Sequence, residues 1–393
     1  PYLIPMLENA GAIVFSPRER DWQRKEIIVD NDGHSNDYKE ESLKKKWKNT
    51  STQGFSFHLG NYNDGENPFT SGTARQVKAR TKDTKISSVI YQPTIPENGR
   101  YAVYVSYQTQ KKSVADAEYI VFHKGQETHF RVNQRMGGGT WVYLGTFEFD
   151  KGNSINNSVV LTNHSSHKGI VTTDAVRFGG GMGNIVRGGS VSGLSRSLEG
   201  ARYFAQWAGA PWNVVSKSNG ANDYNDDINS RSLMTNWLAG GSCYVPNVNG
   251  GKNVPIELAL AIHSDAGVKL DGSFVGTLGI CTTQQGTGTL GDGLSRQVSK
   301  TLARQLVSNV KKDLDKAFGI NWVTRSVWDR NYSETRLPEV PSAIIETLSH
   351  QNFPDIKLGQ DPNFKFTLAR SIYKTILKYE ANMHHTKYTV QPL

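Results

Sequence analysis

Residues 257–267, ELALAIHSDAG, narrow the fold more than any other stretch. The apolar run Leu258 to Ile262 is short and bounded by polar residues, the pattern of a buried strand in a parallel sheet. It delivers His263 and then stops at Ser264, Asp265 and Gly267. In an open α/β sheet, ligand and catalytic groups sit just past the carboxyl ends of the strands. A histidine there is placed to bind a metal or to move a proton. On position alone, a histidine that merely hydrogen-bonds at a strand end is the stronger reading. A second apolar run, SAIIE at 342–346, changes the balance because it ends in Glu346. Two buried strands ending in His and in Glu would set both side chains on one rim of one sheet.

The chain has 393 residues, more than one ordinary core accommodates, so two domains are expected. A hydrophobic content of 37% with 21% charged residues marks a folded chain rather than a disordered one. The formal net charge of +9 suits an anionic partner such as a cell-wall polymer or an acidic polysaccharide. The basic residues are spread out, which ranks nucleic acid below these. No run approaches 18 apolar residues, so no membrane-spanning helix is expected. Cys243 and Cys281 form no CxxC pair, which excludes a cysteine zinc site. They are either one disulfide or two free thiols. No signal peptide is read, and Pro1 opens directly on a helical pattern without an initiator Met. A processed chain or a piece of a longer one is therefore expected.

Along the chain, residues 2–8 read as a helix stopped by Gly11, and AIVF at 12–15 as a buried strand. Residues 30–72 are polar, and Lys44, Lys45 and Lys46 read as a solvated face. Short strands follow, at 101–107, 119–123, 128–132, 140–149, 158–162 and 175–178, with the two-residue period of a sheet. Helical periodicity is absent, which predicts an antiparallel β-sandwich of jelly-roll type. FGGGMGNIVRGGSVSG at 178–193 reads as a flexible junction, since it lacks the strand–loop–helix context and Lys-Ser/Thr ending of a phosphate loop. Beyond it come a helix at 198–208, a strand at 212–215, a helix at 228–238, the His263 strand and a strand at 274–281. Leu294, Val298, Leu302, Leu306, Val310, Leu314 and Phe318 recur every four residues, predicting one long helix over 292–318 that packs by that stripe. A last helix covers 364–379. The expected architecture is an α/β domain, an open and mostly parallel sheet with flanking helices, split as 1–25 and 181–384. The sandwich, 26–180, is inserted between the pieces, and 385–393 form a linker tail.

The residues alone leave the chemistry open. A catalytic zinc keeps three protein ligands and an open position for water, with a nearby Glu as general base. His263 and Glu346 suit two of those roles. Of the other histidines, His34, His58, His123, His129, His164 and His167 fall in the sandwich. His384 and His385 sit near the tail, and His350 is a weak candidate. No GxSxG supports a serine nucleophile. Asp265 with Glu346 would be a carboxylate pair for glycoside cleavage, a weak signal because surface acids are common.

Four stretches, LENAGAIVFSPRERD, NDDINSRSLMTNWLA, ELALAIHSDAG and VPSAIIETLSHQNFPD, resemble in order and spacing the zinc-dependent N-acetylmuramoyl-L-alanine amidases of bacteria, amidase_3 type. Gly11, Val14, Ser16, Arg18 and Asp21 fit the first motif, and Arg231 and Asn236 fit the second loosely. Ile262, His263 and Ala266 fit the third, and Glu346, Ser349 and Asn352 the fourth. The resemblance implies that His263 is a zinc ligand and Glu346 the catalytic acid/base, with Asp265 and Arg231 toward substrate. Asp265 stands where the family has Asn. The family's first two zinc ligands precede the helix at 2–8 and are expected upstream of Pro1. The insert, through AEYIVFHKGQETHFRVNQRMGGGTWVYLGTFEF and VTTDAVRF, resembles the golvesin C-terminal-like domain found with xanthan lyases. Trp141, Tyr104 and Tyr107 would stack on glycan if exposed, although aromatics in strands more often build core. Together the resemblances imply a zinc-dependent peptidoglycan hydrolase that is periplasmic, secreted or on the bacterial cell surface. A non-catalytic glycan-binding surface protein and a polysaccharide lyase are the alternatives.

Overall fold

The computed structural model describes residues 2–33 and 36–390. His34 lies outside the described residues, as does the end of the tail, 391–393. The chain forms two compact units. Unit 1 comprises Pro1–Phe15, Gly241–Asn249 and Pro255–Leu393; unit 2 comprises Ser16–Gly240 and Gly250–Val254.

Unit 1 contains helix α1 (Leu3–Asn9), strands β1 (Ala259–Asp265) and β2 (Leu278–Cys281), and helix α2 (Gln297–Phe318). Then come strand β3 (Trp328–Asp329), the short helix α3 (Ser333–Arg336), strand β4 (Ser342–Ser349), and helices α4 (Phe353–Gly359) and α5 (Pro362–Met383). The four strands form one sheet in the order β1-β4-β2-β3. The β1–β4 and β2–β3 pairings are parallel, but β2 runs antiparallel to β4. The sheet is thus mixed, because β2 follows a 12-residue loop that reverses the chain instead of a helical crossover. β4 is enclosed except at the half-buried Glu346, as its continuous apolar run predicts, and Ala343 and Ile345 are buried. β1 is the edge strand and only half-buried, with Ile262 50% exposed. The expectation of a buried β1 strand is corrected here.

The four-residue stripe does its expected work. Leu302, Leu306, Val310 and Leu314 are fully buried against Ile372, Ile376 and Tyr379 of α5 and Ile345 and Leu348 of β4. The helix begins at Gln297, not near 292, because Leu290 through Ser295 form a turn in which Leu294 N–H bonds Asp292 Oδ1. It ends at Gly319, whose φ of +61° is the left-handed cap that glycine supplies. Residues 12–15 form no strand. Ile13 is 75% exposed, Val14 alone turns onto the core, and no strand flanks the free edge of β1 among the described residues. Cys243 and Cys281 are free, the first exposed and the second buried.

Unit 2 is β-rich, and its paired strands all run antiparallel. One sheet orders Ile27–Asp30, Ala175–Phe178, Gly99–Val105 and Val142–Phe149. A second orders Tyr38–Glu41, Ser88–Tyr91, Ser158–Thr162, Ala117–His123 and Gln126–Val132. Both contribute to one core, which includes Val103, Val105, Tyr119, Val121, Val159 and Leu161. Two strands between residues 30 and 72, Tyr38–Glu41 and Lys48–Gly54, escape the sequence reading because Lys, Glu, Asn and Thr dominate them. Residues 212–215 are a helical turn, not a strand. The helices Ala201–Trp207 and Asp223–Ala239, expected with the α/β domain, group with the sandwich. The reason is aromatic: Trp207 packs with Phe55, Tyr62 and Trp141 at centroid separations of 6.0, 5.2 and 6.4 Å.

The glycine-rich stretch begins as packed structure rather than as an open linker. Residues 177–181 are buried, and Gly179 N–H bonds Ala102 carbonyl. A side chain at Gly179 would meet the Lys25 carbonyl at 2.1 Å, in a backbone conformation with φ +89°. Trp141, Tyr104 and Tyr107, considered for glycan stacking, are buried at 6%, 2% and 2% exposure and build core instead. Tyr104 hydrogen-bonds Glu19 and lies under the Arg177 guanidinium, 3.9 Å from its ring, while Arg177 pairs with Glu19 at 2.7 Å.

Leu306→Ala should destabilise unit 1 by about 2–5 kcal/mol, measured by urea unfolding, since the site is enclosed on all sides. In unit 2, burial raises the Asp30 carboxyl to about 7 against the backbone donors of Asp32 and Phe57. Its contribution favours folding at acid pH and is lost as pH rises through about 7. The unit 2 unfolding midpoint should therefore decline as pH rises from about 4 to about 7 and level off above that.

Candidate functional site

Parallel pairing of β1 with β4 sets the site. Ala259 stands opposite Ser342, and the register runs on without slip until His263 faces Glu346. Residues opposite each other in a parallel pair point to the same side of the sheet, so this side-chain pair shares a face. Past them the register shifts, and Asp265 lies opposite Ser349. The shift ends regular pairing and re-aims the residues beyond. Thr347 Oγ1 donates to the His263 carbonyl at 2.8 Å, fixing the backbone there.

The loop that follows β1 is pinned from β4 and α4. Ser349 Oγ accepts from Gly267 N–H at 3.0 Å and donates to the Gly267 carbonyl at 2.6 Å. Asn352 accepts from Lys269 N–H and donates to the Ser273 carbonyl. The buried Asp355 carboxylate accepts from the N–H groups of Val275, Gly276 and Ser349. Ser349 and Asn352 therefore act as scaffold for the rim.

Two residues that the sequence reading missed join His263 and Glu346. Glu334 of α3 puts Oε2 2.9 Å from His263 Nε2. Arg325 places Nη1 2.7 Å from Asp265 Oδ2, while its Nε and Nη2 are buried without a hydrogen-bond partner. Single Glu and Arg residues in SETR and VTRSV carry no sequence signal; α3 brings Glu334 to this rim, and the segment between α2 and β3, bonded through Arg325 N–H to the Thr277 carbonyl, brings Arg325.

Glu346 is the electrostatic centre. Burial pushes its carboxyl above the usual range, Asp265 and Glu334 push the same way, and His263 and Arg325 pull it down. Its Oε2 is buried and makes no hydrogen bond. A carboxylate so held is a stronger base than a solvated one and keeps a free oxygen to accept a proton. His350 turns away, with Nδ1 3.2 Å from Ser264 Oγ on the exposed side. Arg231 belongs to unit 2, where Nη2 lies 2.9 Å from Asp227 Oδ2.

A catalytic zinc takes three protein ligands of the His and carboxylate kind. His263 and Glu334 fit two of them in chemistry and proximity, and Glu346 stands beside them with an unused oxygen. The ligand atoms of these three do not all come within 4.8 Å of one another; among the described residues one trio does, and it lies elsewhere in unit 1.

The family model of the golvesin C-terminal domain matches residues 27–180. A xanthan lyase of Bacillus sp. (strain GL1) is 36% identical over 99 residues, 25% of this chain and 10% of that protein. The chain thus spans about a tenth of the length of the curated relative it matches. The solved Paenibacillus xanthan lyase superposes with a TM-score of 0.30 at 23% identity, covering 39% of this chain and 13% of the lyase. The CwlD amidase of Clostridioides difficile, solved with the GerS lipoprotein, gives 0.30 at 19% identity over 42% of this chain and 69% of that one. No helix among the described residues is long and apolar enough to cross a membrane.

The raised Glu346 carboxyl predicts a pH-dependent stability effect. Folding favours the protonated form, so this contribution is present at acid pH and lost as pH rises through the folded value. Glu346→Gln, neutral throughout, should unfold at an equal or higher temperature than wild type near pH 8, with the difference shrinking toward pH 4. A calorimetric midpoint that falls in the variant at pH 8 would show that Glu346 is charged and paired in the folded state.

Proposed function

We propose that unit 1 is a peptidoglycan hydrolase that cuts the amide bond between N-acetylmuramic acid and L-alanine. The observation that carries this reading is the in-register facing of His263 and Glu346, with an unbonded carboxylate oxygen on the latter. It supports the roles implied by the amidase-like motifs around these two residues. Glu346 takes a proton from the attacking water and returns it to the leaving amine, which its raised basicity favours. His263 and Glu334 would hold a zinc ion, whose chemistry is to polarise the scissile carbonyl and the attacking water. Glu334 Oε2 lies 2.9 Å from His263 Nε2, so the two donor atoms that would hold the ion stand side by side. Arg325 is held by Asp265 and keeps two buried N–H donor atoms for an anionic group, as a stem-peptide carboxylate provides.

The net charge of +9 suits an anionic wall polymer, and the reading implies a bacterial periplasmic, secreted or cell-surface location. The sandwich would serve this domain as an accessory. The match to a xanthan lyase falls on a small share of that protein and leaves a lyase as the outcome that would displace this reading.

Purified peptidoglycan should release muramic acid-free stem peptides with new L-alanine amino termini, detected by mass spectrometry. Glu346→Gln should lower the rate by about 10²–10⁴. Activity should fall as pH drops through the raised Glu346 value, because the base becomes protonated. Unsaturated sugars absorbing in the ultraviolet, without new amino termini, would replace hydrolysis with lyase chemistry.

A further inference from the structure

A second cluster in unit 1 lies apart from the His263 rim. Glu257 precedes β1, at the end of that strand opposite His263, while Glu380 and His384 sit one turn apart at the end of α5. His384 Nε2 is 2.7 Å from Glu257 Oε1 and 3.5 Å from Glu380 Oε2. The ligand atoms of all three residues lie within 4.8 Å of one another, the one such trio among the described residues. Tyr244 O–H donates to Glu257 Oε1 at 3.2 Å and holds that carboxylate in place.

An ordinary ion pair accounts for part of this arrangement only. His384 and Glu257 satisfy each other, but Glu380 Oε1 is buried without any hydrogen-bond partner. A buried polar atom left unpaired needs a reason. Two carboxylates and one imidazole converging on a common point form the donor set of a borderline divalent ion, three ligands with room for water. The imidazole disfavours Ca²⁺ and Mg²⁺, which take oxygen, and the absence of sulfur disfavours Cu⁺.

We propose that Glu257, Glu380 and His384 bind a divalent transition cation, Zn²⁺ foremost. The cation replaces the direct His384–carboxylate contacts and gives Glu380 Oε1 a partner. It ties the end of α5 to the segment that enters β1. The strand that carries His263 is then anchored at its start as well as along β4.

The test uses the full chain, stripped with chelator and titrated with ZnCl₂ by calorimetry and with Co²⁺ by visible absorption. Wild type should bind one equivalent that persists in His263→Ala, releases protons and raises the unfolding midpoint. His384→Ala should weaken that equivalent at least about a hundredfold, since loss of outer partners alone costs 10–100-fold. Glu380→Gln should weaken it in the same direction. His384 is partly exposed, so its variant is checked for an unchanged metal-free midpoint. Binding that survives both substitutions undiminished, or no equivalent beyond the one lost in His263→Ala, overturns the proposal. Loss of activity in His263→Ala with this equivalent intact separates the two sites.

Discussion

The register of one parallel strand pair governs unit 1. A slip of one residue between β1 and β4 would send His263 or Glu346 to the other face of the sheet. The register is held by means that do not involve the site. Ile345 and Ala343 on β4 are locked into the α2–α5 core, and Thr347 hydrogen-bonds the β1 backbone at His263. Ser349, Asn352 and Asp355 then tie down the loop beyond. A half-exposed edge strand can therefore carry a fixed side chain, because its neighbour is buried on both faces.

The charges on the rim are arranged in opposition. Asp265 and Glu334 raise the cost of a charge on Glu346, while His263 and Arg325 lower it. Neither pair neutralises Glu346 outright, because Arg325 is committed to Asp265 and His263 to Glu334. Glu346 is left with a raised carboxyl and an oxygen without a hydrogen bond. A carboxylate paired directly with Arg325 would be a weaker base and a poorer proton carrier. The Arg177–Glu19 pair in unit 2 shows the contrasting case. There the charges meet at 2.7 Å, fully buried with an aromatic ring against the guanidinium, and serve packing alone.

The sequence made His263 and Glu346 legible because continuous apolar runs identify buried strands, and the residue that ends such a run lies on the rim. The four-residue stripe of α2 was legible for the same reason, since burial imposes a period. Arg325 and Glu334 were not, because they stand in short polar segments whose positions follow from tertiary packing. The strand read at 12–15 failed because an apolar run is only a strand when a neighbour pairs with it, and Ile13 and Phe15 are exposed instead. The aromatics of unit 2 were ambiguous for a related reason. Alternation in residues 101–107 suggests one wet face, yet both faces are covered, one by the sandwich core and the other by Arg177, Glu19 and Trp141. The grouping of the helices after residue 200 with the sandwich was hidden too, because Trp207 gives no sign in sequence of which partners it will meet.

Burial of the sandwich aromatics bears on how work is shared along the chain. A stacking platform for sugar needs ring faces open to solvent, and Trp141, Tyr104 and Tyr107 have given theirs to packing. Recognition of a polymer through these rings is therefore closed to unit 2. In unit 1, an unbonded carboxylate oxygen on Glu346 and two unpartnered donor atoms on Arg325 stand near one strand end. Such groups cost stability in a folded protein unless a ligand, ion or water completes them. Three such atoms, Glu346 Oε2 and Arg325 Nε and Nη2, lie on the two sides of one small rim where the register brings His263 to Glu346, so a single bound group could complete them together, whereas the ring faces of unit 2 are already spent on core.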